Sequence, residues 1–152
     1  MDFVIKKFND LTNNELYEIL KSRAEVFVKE QNITYIDADD IDYDSLHIFK
    51  IDNNRVVAYL RAYYKDKDTV KIGRVLTLEH GKGIGRELME TAIEEIPRIF
   101  TCKKFFLQAQ KYVVPFYEKF GFKVISDEYL EVGILHLDME LSINIKNSIN
   151  KE

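Results

Sequence analysis

The 152-residue sequence has one cysteine, no long apolar run and no apolar segment near its start, and each absence narrows the class of protein. Because Cys102 stands alone, no disulfide can form within the chain, as is usual in reducing compartments. No apolar stretch approaches the roughly 18 residues that a membrane-spanning helix needs. The first ten residues lack the apolar centre of a signal peptide. We therefore expect a cytoplasmic protein with no membrane partner.

Concentrated positive charge is also lacking. The chain carries 22 Lys and Arg against 26 Asp and Glu, which gives a net charge of −4, and the basic residues are scattered. Proteins that bind DNA or RNA need clustered basic side chains to neutralise phosphates. We therefore expect no nucleic-acid partner.

Negative charge is concentrated in one place, the stretch from Asp37 to Asp44, which holds five aspartates. A calcium-binding EF-hand loop that began at Asp37 would need an acidic or amide residue at its fifth position, glycine at its sixth and glutamate at its twelfth. The chain has Ile41, Asp42 and Ile48 at these positions, so we expect no metal site. The stretch is then either a solvated loop or a loop that faces a substrate.

The segment from Thr69 to Met89 combines a strand, a glycine-rich loop and a helix. Apolar residues alternate through its first part, with Arg74 as the one interruption, and this period of two predicts a strand. Gly81, Gly83 and Gly85 follow, and then an apolar stripe at helical spacing begins. The unbonded N–H groups at a helix start and the conformational freedom of glycine both suit a phosphate group.

Two well-known phosphate-binding motifs do not fit this loop. The dinucleotide fingerprint GxGxxG needs a third glycine where Arg86 stands, and the P-loop GxxxxGK[ST] needs a glycine where Leu76 stands. The segment His80–Gly85 instead resembles the motif Q/R-x-x-G-x-G/A, with which the GCN5-related N-acetyltransferases (the GNAT superfamily) bind the pyrophosphate of acetyl-CoA. A tight turn without a ligand is the alternative interpretation of the glycines alone.

A second motif points to the same family. Pro115–Phe122 resembles the F/L-Y-x-K-x-G-F signature that closes the acetyl-CoA site of GNAT enzymes, and Gln110 stands where many members carry an asparagine that contacts the pantetheine arm. The chain as far as Leu141 is similar to ElaA-like acetyltransferases in five short stretches, namely Phe27–Asn32, Tyr35–Asp39, Ile72–Val75, Ala109–Gln110 and Gly133–His136. It departs from the family at His80, where Gln or Arg is usual, and in a shorter connection from Thr77 to His80.

The resemblance implies a single GNAT domain over residues 1–152 with an α/β (α+β) fold. The sheet would be mixed and mostly antiparallel, with about six to seven strands, a parallel central pair formed across the crossover helix, and flanking helices. Residues 142–152 are polar and are expected to form a frayed tail.

Three further expectations concern single elements. A helix capped by Thr12 should carry Arg23 on its apolar stripe, in need of a partner, and should bury Leu16, Ile19, Leu20, Ala24 and Phe27. The helix after Gly85 should end near Pro97. Phe122–Tyr129 and Ile134–Leu141 should pair as a closing hairpin.

The resemblance also implies how acetyl-CoA would be held as co-substrate. Strand main-chain groups would pair with the pantetheine arm, loop amides would hold the pyrophosphate, and Tyr117 would give a proton to the departing thiolate. The implied acetyl-CoA residues are Val75, Leu76, Thr77, Gly81, Lys82, Gly83, Ile84, Gly85, Arg86 and Gln110. The implied activity is that of an N-acetyltransferase, in which an amine acceptor attacks the thioester directly.

Several points stay open in the sequence. No carboxylate lies on the strand before the loop, so the general base is unassigned among Glu30, Glu79 and the acidic stretch. Three polar strand residues line the acceptor side, stand at exposed positions of the sheet or form structural ion pairs, namely Arg61, Arg74 and Gln108. A non-catalytic GNAT-fold module that binds CoA and regulates a partner is the alternative function. The oligomeric state is also open, with a homodimer as one option.

The acidic stretch bears on the acceptor. In the family fold the segment after the first helix borders the acceptor side, and five aspartates there would attract cations. We therefore expect a cationic amine acceptor, either a small polyamine-like molecule or an amino group of a peptide.

Overall fold

The computed structural model describes residues 3–32 and 36–143, and it has a mixed α/β fold. Its strands are β1 (Val4–Lys7), β2 (Leu46–Asp52), β3 (Arg55–Asp66), β4 (Thr69–Thr77), β5 (Lys104–Gln110), β6 (Lys123–Val124), β7 (Tyr129–Glu131) and β8 (Ile134–Ser142). They are hydrogen-bonded in the order β1-β2-β3-β4-β5-β8-β6, and β7 pairs with β8. Parallel and antiparallel pairs both occur, which confirms the predicted fold class. Within the described residues, no helix is both long enough and apolar enough to cross a membrane. The α-helices are α1 (Asn13–Arg23), α2 (Ile84–Ile99) and α3 (Val114–Glu118).

The chain divides into two compact units. The first contains residues 1–63 and 74–92, and the second contains residues 64–73 and 93–152. The single domain over residues 1–152 stays a prediction. Of the predicted tail, Ser142 still belongs to β8 and the Ile143 amide donates to the Lys103 carbonyl at 2.8 Å. Residues 144–152 lie outside the described part, so their predicted fraying is not addressed.

Antiparallel strands and α1 build the first unit. β1 pairs with β2, with Val4 opposite Phe49, and β2 pairs with β3. Asn53 and Asn54 connect β2 to β3 with φ angles of 50° and 61°, the left-handed values that a two-residue type I′ hairpin turn needs. The apolar side chains meet in a buried core formed by Ile19, Val26, Phe27, Phe49, Val56, Tyr59 and Leu76.

The predicted capping box opens α1. The Thr12 hydroxyl accepts a hydrogen bond from the Glu15 amide at 3.1 Å, and the Glu15 carboxylate accepts one from the Thr12 amide at 2.8 Å. After Arg23 the winding changes, and Ala24–Glu30 forms a π-helix, which has more residues per turn.

The buried face of α1 and the π-helix differs in part from the predicted one. Ile19 and Phe27 are buried as predicted, and Leu16 and Leu20 are half-buried. The prediction for Ala24 is wrong, since Ala24 is exposed. Val26 is buried instead, on the same helical face as Ile19, Ser22 and Arg23.

In the second unit, β5 lies between a parallel and an antiparallel neighbour. Thr69–Lys71 of β4 pairs in parallel with Lys104–Phe106, which confirms the predicted parallel pair. β5 also pairs with β8 in antiparallel fashion along its whole length. α3 carries Pro115 in its first turn, and Gly121 follows it with a φ of +98°, as a C-terminal glycine does.

Two predicted boundaries are wrong. α2 runs on to Ile99 with Pro97 in its last turn, because the Phe100 amide still donates to the Ile96 carbonyl at 2.8 Å beyond the proline. The first arm of the closing hairpin is divided into β6 and β7, so the described residues contain eight strands. Between these strands, the Asp138 amide of β8 donates to the Ser126 hydroxyl at 2.9 Å, in place of a ladder carbonyl.

Candidate active site

The glycine-rich loop lies directly before α2 in the first unit. Gly81 and Gly83 have φ angles of +81° and +77°, which residues with a Cβ rarely adopt. The Glu87 amide donates to the Gly83 carbonyl at 3.1 Å, and this is the first turn of helical hydrogen bonding. The amides between these two residues have no acceptor inside the helix. The loop therefore combines permissive backbone with unbonded helix-start amides, an arrangement that suits an anion.

The surroundings of the loop are open and carry two cations. A Cβ at Gly81 or Gly83 would meet no atom within 4 Å, so glycine is needed here for backbone conformation and not for lack of space. The Lys82 ammonium lies 2.9 Å from Glu79, and this hydrogen bond and charge raise the pKa of Lys82. Arg86 lies 3.5 Å from Glu90. Both pairs are solvent-exposed and therefore weak, which leaves the two cations available to an anionic group.

The end of β4 leads into the loop through Val75, Leu76 and Thr77. Leu76 is buried and its two neighbours are half-buried. The Leu78 amide donates to the Val57 carbonyl of β3 at 2.8 Å, which ties down this end of β4. Arg74, directly before the three residues, has a φ of +51°.

Three arginines and three aspartates of the first unit form a connected set of ion pairs. Arg23 of α1 is wholly buried; its Nη1 donates to Asp42 Oδ1 at 2.7 Å and its Nε to Asp37 Oδ2 at 2.9 Å. The partner that Arg23 needs is therefore the acidic stretch. A buried charge is tolerated when it is paired and hydrogen-bonded in this way. We call the set the arginine–aspartate cluster: Arg23, Arg61, Arg74, Asp37, Asp39 and Asp42.

Arg61 of β3 and Arg74 of β4 complete the cluster. Arg61 Nη1 donates to Asp42 Oδ1 at 2.9 Å, and its Nη2 donates to Asp39 Oδ2 at 3.0 Å. Arg74 Nε lies 3.0 Å from Asp37 Oδ1, and Arg74 Nη2 lies 3.3 Å from Asp39 Oδ2. The three positive and three negative charges cancel within the cluster.

The acidic stretch is therefore neither a solvated loop nor a free negative surface. Of its five aspartates, Asp40 and Asp44 are exposed, and the other three are paired with arginines. The predicted attraction of cationic amines by five aspartates rests on a wrong premise, because the arginines offset most of that charge. In the sequence the aspartates are easy to recognise because they lie close together. Their arginine partners are not, because they come from three separate elements.

Protonation in the cluster follows from these pairs. Burial opposes ionisation of Asp39, but the hydrogen bond and charge of Arg61 outweigh burial and hold the pKa of Asp39 below its usual range. Burial also opposes the charge on Arg61, and Asp39 and Asp42 outweigh it and raise the pKa of Arg61. Asp39 and Arg61 are therefore both ionised at neutral pH.

His47 lies against the cluster as a neutral side chain. Burial lowers the pKa of His47, and the charges of Arg23 and Arg61 lower it further against the pull of Asp42. One ring nitrogen, Nε2, is 3.0 Å from the Asp42 carbonyl, and Nδ1 is 2.7 Å from the Tyr59 hydroxyl. Since a carbonyl can only accept, we assign the ring proton to Nε2, and the Tyr59 hydroxyl then donates to Nδ1.

A cavity of about 290 Å³ in the first unit adjoins the end of β4. Four carboxylates face one guanidinium there, and that guanidinium, Arg55, is paired with Glu25 at 2.7 Å. Glu30 and Glu79, two of the general-base candidates left open by the sequence, share this cavity. Among the described residues, no group of His, Cys, Asp and Glu could hold a metal ion. The lining residues are Glu25, Glu30, Asp52, Asn53, Arg55, Val57, Leu78 and Glu79.

Comparison with known proteins decides the family. Residues 9–143 match a family model described as an acetyltransferase (GNAT) domain. The chain belongs to the GNAT acetyltransferase family. It is 42% identical to the UPF0039 protein C11D3.02c of Schizosaccharomyces pombe, over 94% of this chain and 98% of that protein.

Two solved GNAT-like structures are similar over most of their length. The crystal structure of Escherichia coli ElaA gives a TM-score of 0.86 at 34% identity, over 92% of this chain and 99% of that chain. An acyl-CoA N-acyltransferase from Pseudomonas aeruginosa gives the same TM-score, identity and coverage. The ElaA-like resemblance is therefore confirmed.

The second GNAT motif lies in the second unit. Tyr117 of α3 is buried, and its ring packs edge-on against Phe116 at 5.2 Å and Phe122 at 6.0 Å between ring centres. Burial raises the pKa of Tyr117 above its ordinary value, with nearby Tyr112 adding to the effect. Gln110 ends β5, opposite His136 of β8. The implied acetyl-CoA residues thus fall in both units, and their roles stay predictions.

Sequence reasoning missed the cluster although its signals were visible. Arg23 interrupts an apolar helical stripe, and Arg74 interrupts an alternating strand. Of the three alternatives for Arg61 and Arg74, the structure shows ion pairs. Gln108 of the second unit accepts from the Lys71 ammonium at 2.8 Å and donates to the Tyr129 hydroxyl at 3.0 Å.

Proposed function

We propose that this protein is a cytoplasmic N-acetyltransferase that moves an acetyl group from acetyl-CoA to an amine. The observation that carries the proposal is the loop at Gly81 and Gly83, whose left-handed backbone lies directly before α2 in a chain of the GNAT family. A pyrophosphate suits this place because unbonded amides and the helix dipole both favour an anion. The 34% identity to a Pseudomonas aeruginosa acyl-CoA N-acyltransferase supports a CoA thioester as the donor.

In this proposal the chain holds the donor mainly through its backbone. The amides from Gly81 to Arg86 bind the pyrophosphate, and the Lys82 ammonium adds positive charge. Main-chain groups of Val75–Thr77 pair with the pantetheine arm, and one N–H there polarises the thioester carbonyl. Gln110 contacts the pantetheine arm, the role that the family motif gives to its position.

The transfer itself is a direct displacement. The amine nitrogen attacks the thioester carbonyl carbon, so a C–N bond forms, the C–S bond breaks and the nitrogen loses a proton. Tyr117 donates a proton to the departing sulfur. A tyrosine hydroxyl is protonated at neutral pH, as a proton donor must be, and burial, which raises the pKa of Tyr117, keeps it in this form. The base is a carboxylate or a water, and Glu30 and Glu79 are candidates through the cavity that they share.

We propose a cationic amine as acceptor, either a small polyamine-like molecule or an amino group of a peptide. Support for this class comes from the cavity beside β4, because its four carboxylates outnumber the guanidinium of Arg55 and the Lys82 ammonium that pairs with Glu79. Such a lining favours cations over anions. The acidic stretch no longer supports it, since the cluster offsets that charge.

Turnover of acetyl-CoA with a panel of amines tests the proposal, measured as release of the CoA thiol. We expect turnover with cationic amines. Tyr117→Phe keeps the ring in its packing and removes the hydroxyl, so kcat should fall about 10²–10⁴-fold while acetyl-CoA affinity barely changes. Tyr17→Phe is the matched control, because Tyr17 is exposed on α1, and it should leave kcat unchanged.

Two outcomes would count against parts of the proposal. Binding of acetyl-CoA without turnover of any amine in the panel would indicate the alternative, a CoA-binding regulatory module. An unchanged kcat for Tyr117→Phe, under conditions where chemistry limits the rate, would remove Tyr117 as the general acid.

A further inference from the structure

Arg74 has an unusual backbone conformation for its place in the fold. Its φ of +51° lies in the left-handed region, where a Cβ crowds the following carbonyl, and yet it stands inside strand β4. Within residues 3–32 and 36–143, the other non-glycine residues with positive φ lie in turns or beside a helix end: Asn32, Asn53, Asn54 and Val132. A strained conformation inside a strand persists only where the surroundings hold it.

The surroundings of Arg74 fix its side chain through ion pairs and a hydrogen bond. Its guanidinium is largely buried and lies 3.0 Å from Asp37 Oδ1 and 3.3 Å from Asp39 Oδ2, and it also donates to the Asp37 carbonyl at 3.1 Å. These acceptors are themselves fixed, because Asp37 is bonded to buried Arg23 and Asp39 to buried Arg61. Arg74 is thus anchored to partners that have little freedom to follow it.

Arg74 lies next to the segment that is proposed to bind the pantetheine arm of acetyl-CoA. Val75–Thr77 follows Arg74 directly, and the far end of this segment is tied to β3 by the Leu78 amide and the Val57 carbonyl, 2.8 Å apart. With both ends held, the direction of the main-chain groups between them is set. If Arg74 relaxed to an extended conformation, the amide and carbonyl directions of the following residues would change.

The geometry points to Arg74 as a positioning residue for the donor: its ion pairs with Asp37 and Asp39 hold the left-handed backbone of β4 and so aim the main chain of Val75–Thr77 at acetyl-CoA. This assignment rests on the proposed function. The guanidinium acts through the backbone and touches neither donor nor acceptor. A residue that needs no ion pair to adopt a positive φ should therefore be able to replace it.

Comparison of Arg74→Gly with Arg74→Ala tests the assignment, with the dissociation constant of acetyl-CoA as the readout. Both variants lose the ion pairs, but glycine adopts a positive φ freely while alanine resists it. For Arg74→Ala we expect acetyl-CoA to bind about 5- to 30-fold more weakly, the factor by which the left-handed conformer becomes rarer. Arg74→Gly should recover most of that loss.

Gly73→Ala is the matched control in the same strand. Gly73 has no positive φ, and a Cβ there would meet no atom within 4 Å, so the extra methyl should leave acetyl-CoA binding unchanged. Equal weakening in Arg74→Gly and Arg74→Ala would overturn the assignment, because the guanidinium itself would then be what matters. Unchanged binding in both variants would overturn it as well. If the parent protein does not bind acetyl-CoA, the proposed function itself is wrong. This outcome is distinguishable from a wrong assignment of Arg74, in which the parent protein binds acetyl-CoA but the variants do not differ as expected.

A second comparison covers the case in which Arg74→Ala does not fold. Asp39→Asn weakens one ion pair of Arg74 and should reduce acetyl-CoA affinity in the parent. In the Arg74→Gly background the same change should have little effect, since the backbone no longer depends on the ion pair. Equal effects of Asp39→Asn in both backgrounds would contradict the assignment.

Discussion

At the scale of single residues, Asp42 connects several elements of the arginine–aspartate cluster. Its Oδ1 atom accepts hydrogen bonds from Arg23 of α1 at 2.7 Å and from Arg61 of β3 at 2.9 Å, and its carbonyl lies 3.0 Å from a nitrogen of His47. Asp42 is buried, and so are both arginines. One carboxylate therefore offsets charge on a helix and on a strand in a place that water does not reach.

Replacement of Asp42 by asparagine keeps its shape and removes its charge. Arg23, which is wholly buried, keeps Asp37 as a partner, but the cluster then holds three arginines against two aspartates, and an uncompensated charge in this buried place is costly. We expect the free energy of unfolding of Asp42→Asn to fall by about 3–5 kcal/mol, the range for a broken buried ion pair. Denaturant unfolding measures it.

Asp44→Asn is the control from the same stretch. Asp44 is exposed, so its substitution should change the free energy of unfolding by no more than about 0.5 kcal/mol. A similar decrease in the free energy of unfolding of the two variants would show that the ion pairs of the cluster do not stabilise the fold as we expect.

At the scale of elements, the sequence predicts what depends on local signals. The capping box of Thr12 and Glu15, the strand–loop–helix unit around Gly83 and the glycine after α3 all depend on neighbouring residues, and all are found. The π-helix at Ala24–Glu30 was not predicted, since no local pattern marks the change of winding. Pro97 predicts an earlier end for α2. A proline in the last turn removes only one N–H donor, however, and leaves the later helical hydrogen bonds intact.

In the candidate site, too, the sequence predicts what depends on local motifs and misses what depends on the fold. The loop and Tyr117 are recognisable because each sits in a short motif. The arginine–aspartate cluster is not, because its members come from α1, β3, β4 and the acidic stretch, and their pairing is a property of the fold. A charged residue at an apolar position, such as Arg23, is the signal that points to such a cluster in advance.

Gly83 gives the element-scale prediction. Its φ of +77° and the open space around it mean that Gly83→Ala adds backbone strain of about 1–2 kcal/mol and no clash. We expect acetyl-CoA to bind more weakly, because the loop amides leave the arrangement that suits the pyrophosphate. Titration calorimetry of the folded variant measures the change.

Gly133→Ala separates strain from binding. Gly133, in the β7–β8 turn, has a φ of +74° and equally open surroundings, so the same substitution costs similar stability. It should leave acetyl-CoA binding at the parental level. If Gly83→Ala binds acetyl-CoA as tightly as Gly133→Ala, the loop is not the pyrophosphate site.

At the scale of the whole molecule, charge and composition proved less informative than the family match. The five aspartates of Asp37–Asp44 predict a negative potential there, yet the arginine–aspartate cluster has no net charge. Family membership rests on residues 9–143 and therefore on nearly the whole chain. The residues proposed for the donor lie in both units, so tests of donor binding belong to the full chain.

Thermal unfolding with and without acetyl-CoA tests the central claim most directly. At a ligand concentration of about 100 times the dissociation constant, binding to the folded state alone stabilises it by about 2.7 kcal/mol. For a chain of this length we expect the Tm to rise by about 5–10 °C with acetyl-CoA and not to change with NAD. No change in Tm at millimolar acetyl-CoA, or an equal rise with NAD, would contradict a GNAT donor site in this protein.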